Sequence, residues 1–83
     1  MQRVKFIMDY SFVMPSHIRA ARGWLWWNLD EIEAKSGVTR GAVSKFETGK
    51  KNLSVKTRKV LYETFLKEGV ELVPDGLRAK DLQ

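Results

Sequence analysis

Seven of the fifteen lysines and arginines in this 83-residue chain stand between positions 40 and 59. They are Arg40, Lys45, Lys50, Lys51, Lys56, Arg58 and Lys59, set against a single acid, Glu47. That window carries +6, while the other eight bases and nine acids sum to −1, so twenty consecutive residues hold all of the excess charge. The chemistry open to such a cluster is the neutralisation of a polyanion, because each phosphate paired with Lys or Arg releases condensed counterions. A solvated basic face is the alternative for any run of this kind. Arg40, Gly41, Ser44 and Lys45 recur at i, i+1, i+4 and i+5, on one side of a helix and opposite Val43 and Phe46. Covalent chemistry has little to work with. Cysteine is absent, which excludes disulfides, thiolate zinc sites and a thiol nucleophile. The single histidine, His17, reads as a lone surface side chain beside a helix cap, and no acids pair in a cleft-forming context. The chain is therefore not expected to be an enzyme, and no metal, cofactor or small-molecule substrate is expected.

The elements that must position these residues follow from local signals. Eighty-three residues make one domain with one modest core, and 43% hydrophobic with 30% charged residues describes a chain that folds. No apolar run reaches the roughly 18 residues of a membrane span. The N-terminal stretch breaks at Asp9 and lacks a small-residue cleavage site, so neither a signal peptide nor a membrane partner is expected. Residues 4–13 are rich in Val, Phe, Ile and Tyr and predict a strand or extended arm. Ser16 is the expected cap of a first helix with Ile18, Ala21, Trp24 and Leu25 on one face. Asn28 and Glu31 form a capping-box start for a second helix, with Leu29, Ile32 and Ala34 facing inward. Gly37 is placed for the left-handed residue that ends it, and Val38 plugs the turn. Thr39 caps a third helix running to Thr48, with Ala42, Val43 and Phe46 inward and Gly49 as its stop. Ser54 caps a fourth, from Val55 to Glu68, which turns Val55, Val60, Leu61, Phe65 and Leu66 inward. Beyond Gly69, VELVP alternates like a strand, Asp75-Gly76 signals a tight turn, and LRA predicts a short return strand. The expected organisation is an arm at 1–14, a helical domain at 15–69 and a hairpin tail at 70–83.

Two short helices joined by a tight glycine turn, 28–36 and 39–48, are the parts of a helix-turn-helix unit. The segment from Arg19 to Lys51 resembles the Cro/C1-type (Xre-like) helix-turn-helix family. The likeness rests on Arg22, Asp30-Glu31-Ile32, Ser36-Gly37-Val38-Thr39, Val43 and Phe46-Glu47-Thr48-Gly49. It extends more loosely over about residues 16–79. It implies a mainly α, four-to-five-helix lambda-repressor-like domain with short N- and C-terminal β-strands, bacterial or phage-encoded and cytoplasmic. It also implies roles. Arg40, Gly41 and Lys45, with Ser44 beside them, would meet base edges in the major groove. Arg40 suits guanine O6 and N7 in bidentate fashion, and Lys45 fits a base edge or a phosphate equally. Asn28 and Thr39, at helix N-termini, would hydrogen-bond phosphate, followed by Lys50, Lys51 and Asn52 along the backbone. Glu47 would pair with Arg22 as scaffold.

Two positions depart from the family pattern: Leu29 replaces a Gln that buttresses a phosphate, and Trp26 replaces a turn Gly. Trp24, Trp26 and Trp27 crowd into four residues. Trp27 fits the core, whereas Trp24 and Trp26 read either as interface anchors or as partly buried under the N-terminal arm. The expected function is a sequence-specific transcriptional regulator (repressor, antitoxin-like autoregulator or phage switch) acting as a homodimer on double-stranded DNA. The alternative is a protein partner's antiactivator, sequestering a transcription factor on the same scaffold.

Overall fold

A computed structural model of the chain describes residues 9–80. A 3-10 turn at Tyr10–Phe12 leads into four helices, α1 (Pro15–Leu25), α2 (Leu29–Ser36), α3 (Arg40–Glu47) and α4 (Val55–Lys67). Strands β1 (Val70–Val73) and β2 (Gly76–Ala79) close the chain as an antiparallel hairpin. The architecture is mainly helical with one small C-terminal sheet. Among the described residues no helix is long and apolar enough to cross a membrane.

The N-terminal expectation needs correcting. Positions 4–8 lie outside the described residues, and Tyr10–Phe12 form a helical turn, not a strand. A strand needs a neighbour for its backbone. Here the aromatic residues instead seat on α4, with Tyr10 and Phe12 edge-on to Tyr62 at 5.1 and 6.1 Å between ring centroids. Burial pushes the Tyr62 phenol above its ordinary pKa, because the phenolate would lose its hydration there.

Helix α1 starts one residue before the expected Ser16 cap. Pro15 takes the first helical position, where its missing N–H costs nothing, and Met14 becomes the N-cap. His17, at the third helical position, is buried and reaches back to the N-cap backbone. Its Nδ1 accepts the Met14 N–H at 3.0 Å, so the ring hydrogen sits on Nε2, which donates to the Val73 carbonyl at 2.7 Å. The histidine expected on the surface thus ties the start of α1 to the end of β1.

The core draws on the four helices and β1, with Val13 ahead of them: Val13, Ile18 and Ala21, then Ile32, Val43 and Phe46, then Leu61, Tyr62, Phe65, Val70 and Leu72. Leu25, Trp27, Leu29, Val38 and Leu66 pack around it, and Trp27 stacks on Phe65 at 5.6 Å. Two residues expected inside, Ala34 and Val55, are exposed, and of Trp24 and Leu25 it is Leu25 that packs on the core while Trp24 is exposed. Ile18, Ala21 and Leu25 follow an i, i+3, i+7 line, and Trp24 falls roughly 90° off it at 3.6 residues per turn.

The hairpin pairs Val73 with Gly76 and Val70 with Ala79. Its two-residue loop is therefore Pro74-Asp75, one position earlier than the expected Asp75-Gly76. Val70 and Leu72 point into the helical core, while Glu71 pairs across the strands with Arg78 at 3.0 Å. Val70 and Leu72, with Leu77 packed against them, join the hairpin to the core of the helices.

Candidate nucleic-acid interface

Local hydrogen bonds set the two short helices. The Asn28 side-chain oxygen accepts the Glu31 N–H and the Glu31 carboxylate accepts the Asn28 N–H, both at 2.8 Å. Helix α2 ends at Gly37, φ +80°, whose N–H reaches the Glu33 carbonyl at 2.8 Å. Ser36 Oγ donates to the Ile32 carbonyl at 2.6 Å and accepts the Val38 N–H at 3.0 Å, which folds the turn tightly. Thr39 Oγ1 then caps α3 by accepting the Ala42 N–H at 3.3 Å. At the far end, Gly49 donates to the Phe46 carbonyl at 3.0 Å and Lys50 donates to the Lys45 carbonyl at 2.8 Å.

Helix α3 has two faces. Val43 and Phe46 are buried, Ala42 is half-buried, and Arg40, Gly41 and Lys45 lie open to solvent, with Ser44 half-buried between them. Lys50, Lys51 and Asn52 are exposed, and the Lys51 N–H also reaches the Lys45 carbonyl, so this loop folds back over the last turn of α3. Gly41 is a helical glycine, and among the described residues nothing beyond its chain neighbours and its own helix backbone lies within 4 Å of where a Cβ would stand. Internal packing gives no reason for that glycine. Asn28 and Thr39 are exposed at their helix starts, with their side chains used as caps.

Not every base in the +6 window belongs to this face. Arg58 donates to the Leu53 and Ser11 carbonyls at 2.9 and 3.0 Å, and its guanidinium lies 5.3 Å from the Phe46 ring centre. It is committed to the fold. Lys59 lies 6.0 Å from the Tyr10 ring centre, and Lys56 is exposed.

Arg40 is held by α2 at two points. Asp30 Oδ1 accepts from Nη1 at 2.7 Å, and Glu33 Oε1 accepts the Arg40 backbone N–H at 3.0 Å. Neither contact was expected. Asp30 and Glu33 sit three apart on one helical face, which was visible in the sequence, but the partner across the helix crossing was not.

The framing of α3 comes from α1. Arg22 meets Glu47 side-on through Nε at 2.7 Å and Nη2 at 2.8 Å, and its Nη1 donates to the Trp27 carbonyl at 3.0 Å. Hydrogen bonding to Glu47 raises the Arg22 pKa above the ordinary arginine value, against the opposing effect of burial. Arg19 donates to the Glu47 carbonyl as well. Helix α1 therefore grips the C-terminal end of α3 through both the side chain and the backbone of one residue.

Trp26 ends α1 in the left-handed conformation, φ +60° and ψ +33°, with its side chain 90% exposed. The Trp26 N–H bonds to the Gly23 carbonyl at 3.3 Å and the Trp27 N–H to the Arg22 carbonyl at 2.9 Å, the same pattern that Gly49 and Lys50 make after α3. A Cβ is unfavourable at that φ. Trp26→Gly should therefore raise stability by about 0.5–1 kcal/mol, seen as a higher urea midpoint with an unchanged slope. A lower midpoint would show that the indole supports the fold. No family model matches the chain, and neither a curated protein nor a solved structure is significantly similar to it.

Proposed function

We propose that the chain is a sequence-specific duplex-DNA-binding regulator of the Cro/C1 type, on a lambda-repressor-like domain, with α3 reading the major groove. The observation that carries this reading is the uncovered face of α3. Arg40, Gly41 and Lys45 are exposed there, opposite buried Val43 and Phe46, and Lys50, Lys51 and Asn52 continue it. A helical glycine without an internal neighbour suits close approach to another backbone. Arg40 and Lys45 supply donors for purine edges, and the loop lysines supply charge for phosphates. A single short helix covers only a few base pairs, so the binding unit is a two-fold dimer on a palindromic site. Such a regulator works in the cytoplasm.

Duplex binding across a salt series tests the proposal. The logarithm of the association constant should fall linearly with the logarithm of salt concentration, with a slope of about −0.9 per phosphate contacted. Undetectable binding to any duplex at low salt would overturn it. A second reading, an antiactivator that sequesters a transcription factor, is favoured by Trp26 and Trp24, two large side chains left exposed. Loss of a transcription factor's own DNA binding on stoichiometric addition of this chain, without any duplex bound by the chain itself, would select that reading.

A further inference from the structure

We propose that Asp30 is a positioning residue for Arg40, holding the guanidinium so that one base pair is read by its Nε–Nη2 edge. This inference rests on the DNA-binding reading above and names the residue that sharpens its specificity. Two carboxylates from one face of α2 converge on Arg40: Glu33 on its backbone N–H and Asp30 on Nη1. Asp30 takes only that one nitrogen. Among the described residues, Nε and Nη2 of Arg40 make no hydrogen bond, so the side-on edge of the guanidinium remains free. Arg22 shows what such an edge does in this same molecule, gripping the two oxygens of Glu47 at 2.7 and 2.8 Å. Guanine offers the matching pair of acceptors, N7 and O6, along its major-groove edge.

The Asp30–Arg40 pair is 69% and 59% exposed, a setting in which an ion pair adds little to folding stability. Its effect falls instead on Arg40 itself. A long side chain restrained before binding loses less rotamer freedom when it meets its target. The Asp30 charge also repels phosphate wherever the protein lies on DNA. Asp30 therefore acts with opposite signs on the preferred duplex and on all others, which a merely structural residue would not do.

The test uses the full chain and a duplex selected by the wild type from a randomised pool. Affinity is then measured on that duplex and on each single base-pair replacement, for wild type, Arg40→Ala, Asp30→Ala and Asp30→Asn. Arg40→Ala should abolish preference at one base pair. Asp30→Ala should cut preference at the same base pair by roughly fivefold, part of what a bidentate contact supplies, while tightening binding to mismatched duplexes. Asp30→Asn should lie between, because its amide oxygen still accepts from Nη1, and thermal midpoints should fall only by what one first-turn carboxylate adds to α2, with every variant folded at the assay temperature. Full retention of that preference in Asp30→Ala, or one common factor on every duplex, would overturn the positioning role and leave DNA binding intact. Failure of the wild type to select any duplex would overturn both.

Discussion

Arg22→Ala should destabilise the fold by about 3–5 kcal/mol, and by more than Glu47→Ala, which should cost nearer 3. The asymmetry comes from burial. The Glu47 side chain is 6% exposed, and without Arg22 its charge has no water to replace the lost donors. Arg22 is 22% exposed, so without Glu47 it regains some hydration and keeps its bond to the Trp27 carbonyl. Arg22→Lys should not rescue, since an ammonium cannot span both carboxylate oxygens side-on. Urea unfolding of the two single variants and the double variant measures the coupling directly. A coupling near zero, or the reverse order of the single variants, would refute this account. Small domains have about 5–15 kcal/mol in total, so Arg22→Ala should be partly unfolded at the growth temperature.

The second large effect is electrostatic. Changing Lys45, Lys50 and Lys51 together to Ala should flatten the salt dependence of duplex binding by at least about 1.8 in log–log slope, at about 0.9 for each phosphate lost by Lys50 and Lys51. All three are exposed and cluster at one end of α3, because the loop backbone folds onto the Lys45 carbonyl. The fold should be unaffected, with circular dichroism and thermal midpoint unchanged. Arg58→Ala should behave in the opposite way, because its guanidinium is spent on the Leu53 and Ser11 carbonyls and the Phe46 ring. It should lower the midpoint and leave the salt slope nearly intact. A Lys triple variant with the wild-type slope would remove this loop from the interface.

Much of the helical scaffold was legible because its determinants are local. Asn28, Thr39 and Ser54 each accept an N–H three residues on, and Gly37, Gly49 and Gly69 each take a positive φ at a helix end. The hairpin was legible for the same reason, although its loop falls on Pro74-Asp75. The two faces of α3 follow from helical periodicity alone.

What the sequence determined by itself about the site was therefore one exposed face on α3, presenting Arg40, Gly41 and Lys45, inside a basic stretch. Only the tertiary structure decided which of those charges are free. Arg58 is taken by backbone carbonyls 5 and 47 residues away, whereas Arg40 gives only Nη1 to an acid 10 residues away and keeps its Nε–Nη2 edge; outside the window, His17 is taken by a carbonyl at a separation of 56. Spacing carries no record of such partners, because helices cross at angles set by whole packed surfaces. The +6 window thus began as one charge field and ends as four parts: a reading face, a phosphate-facing loop in the proposed complex, an arginine built into the scaffold, and Lys56 and Lys59 on the surface of α4.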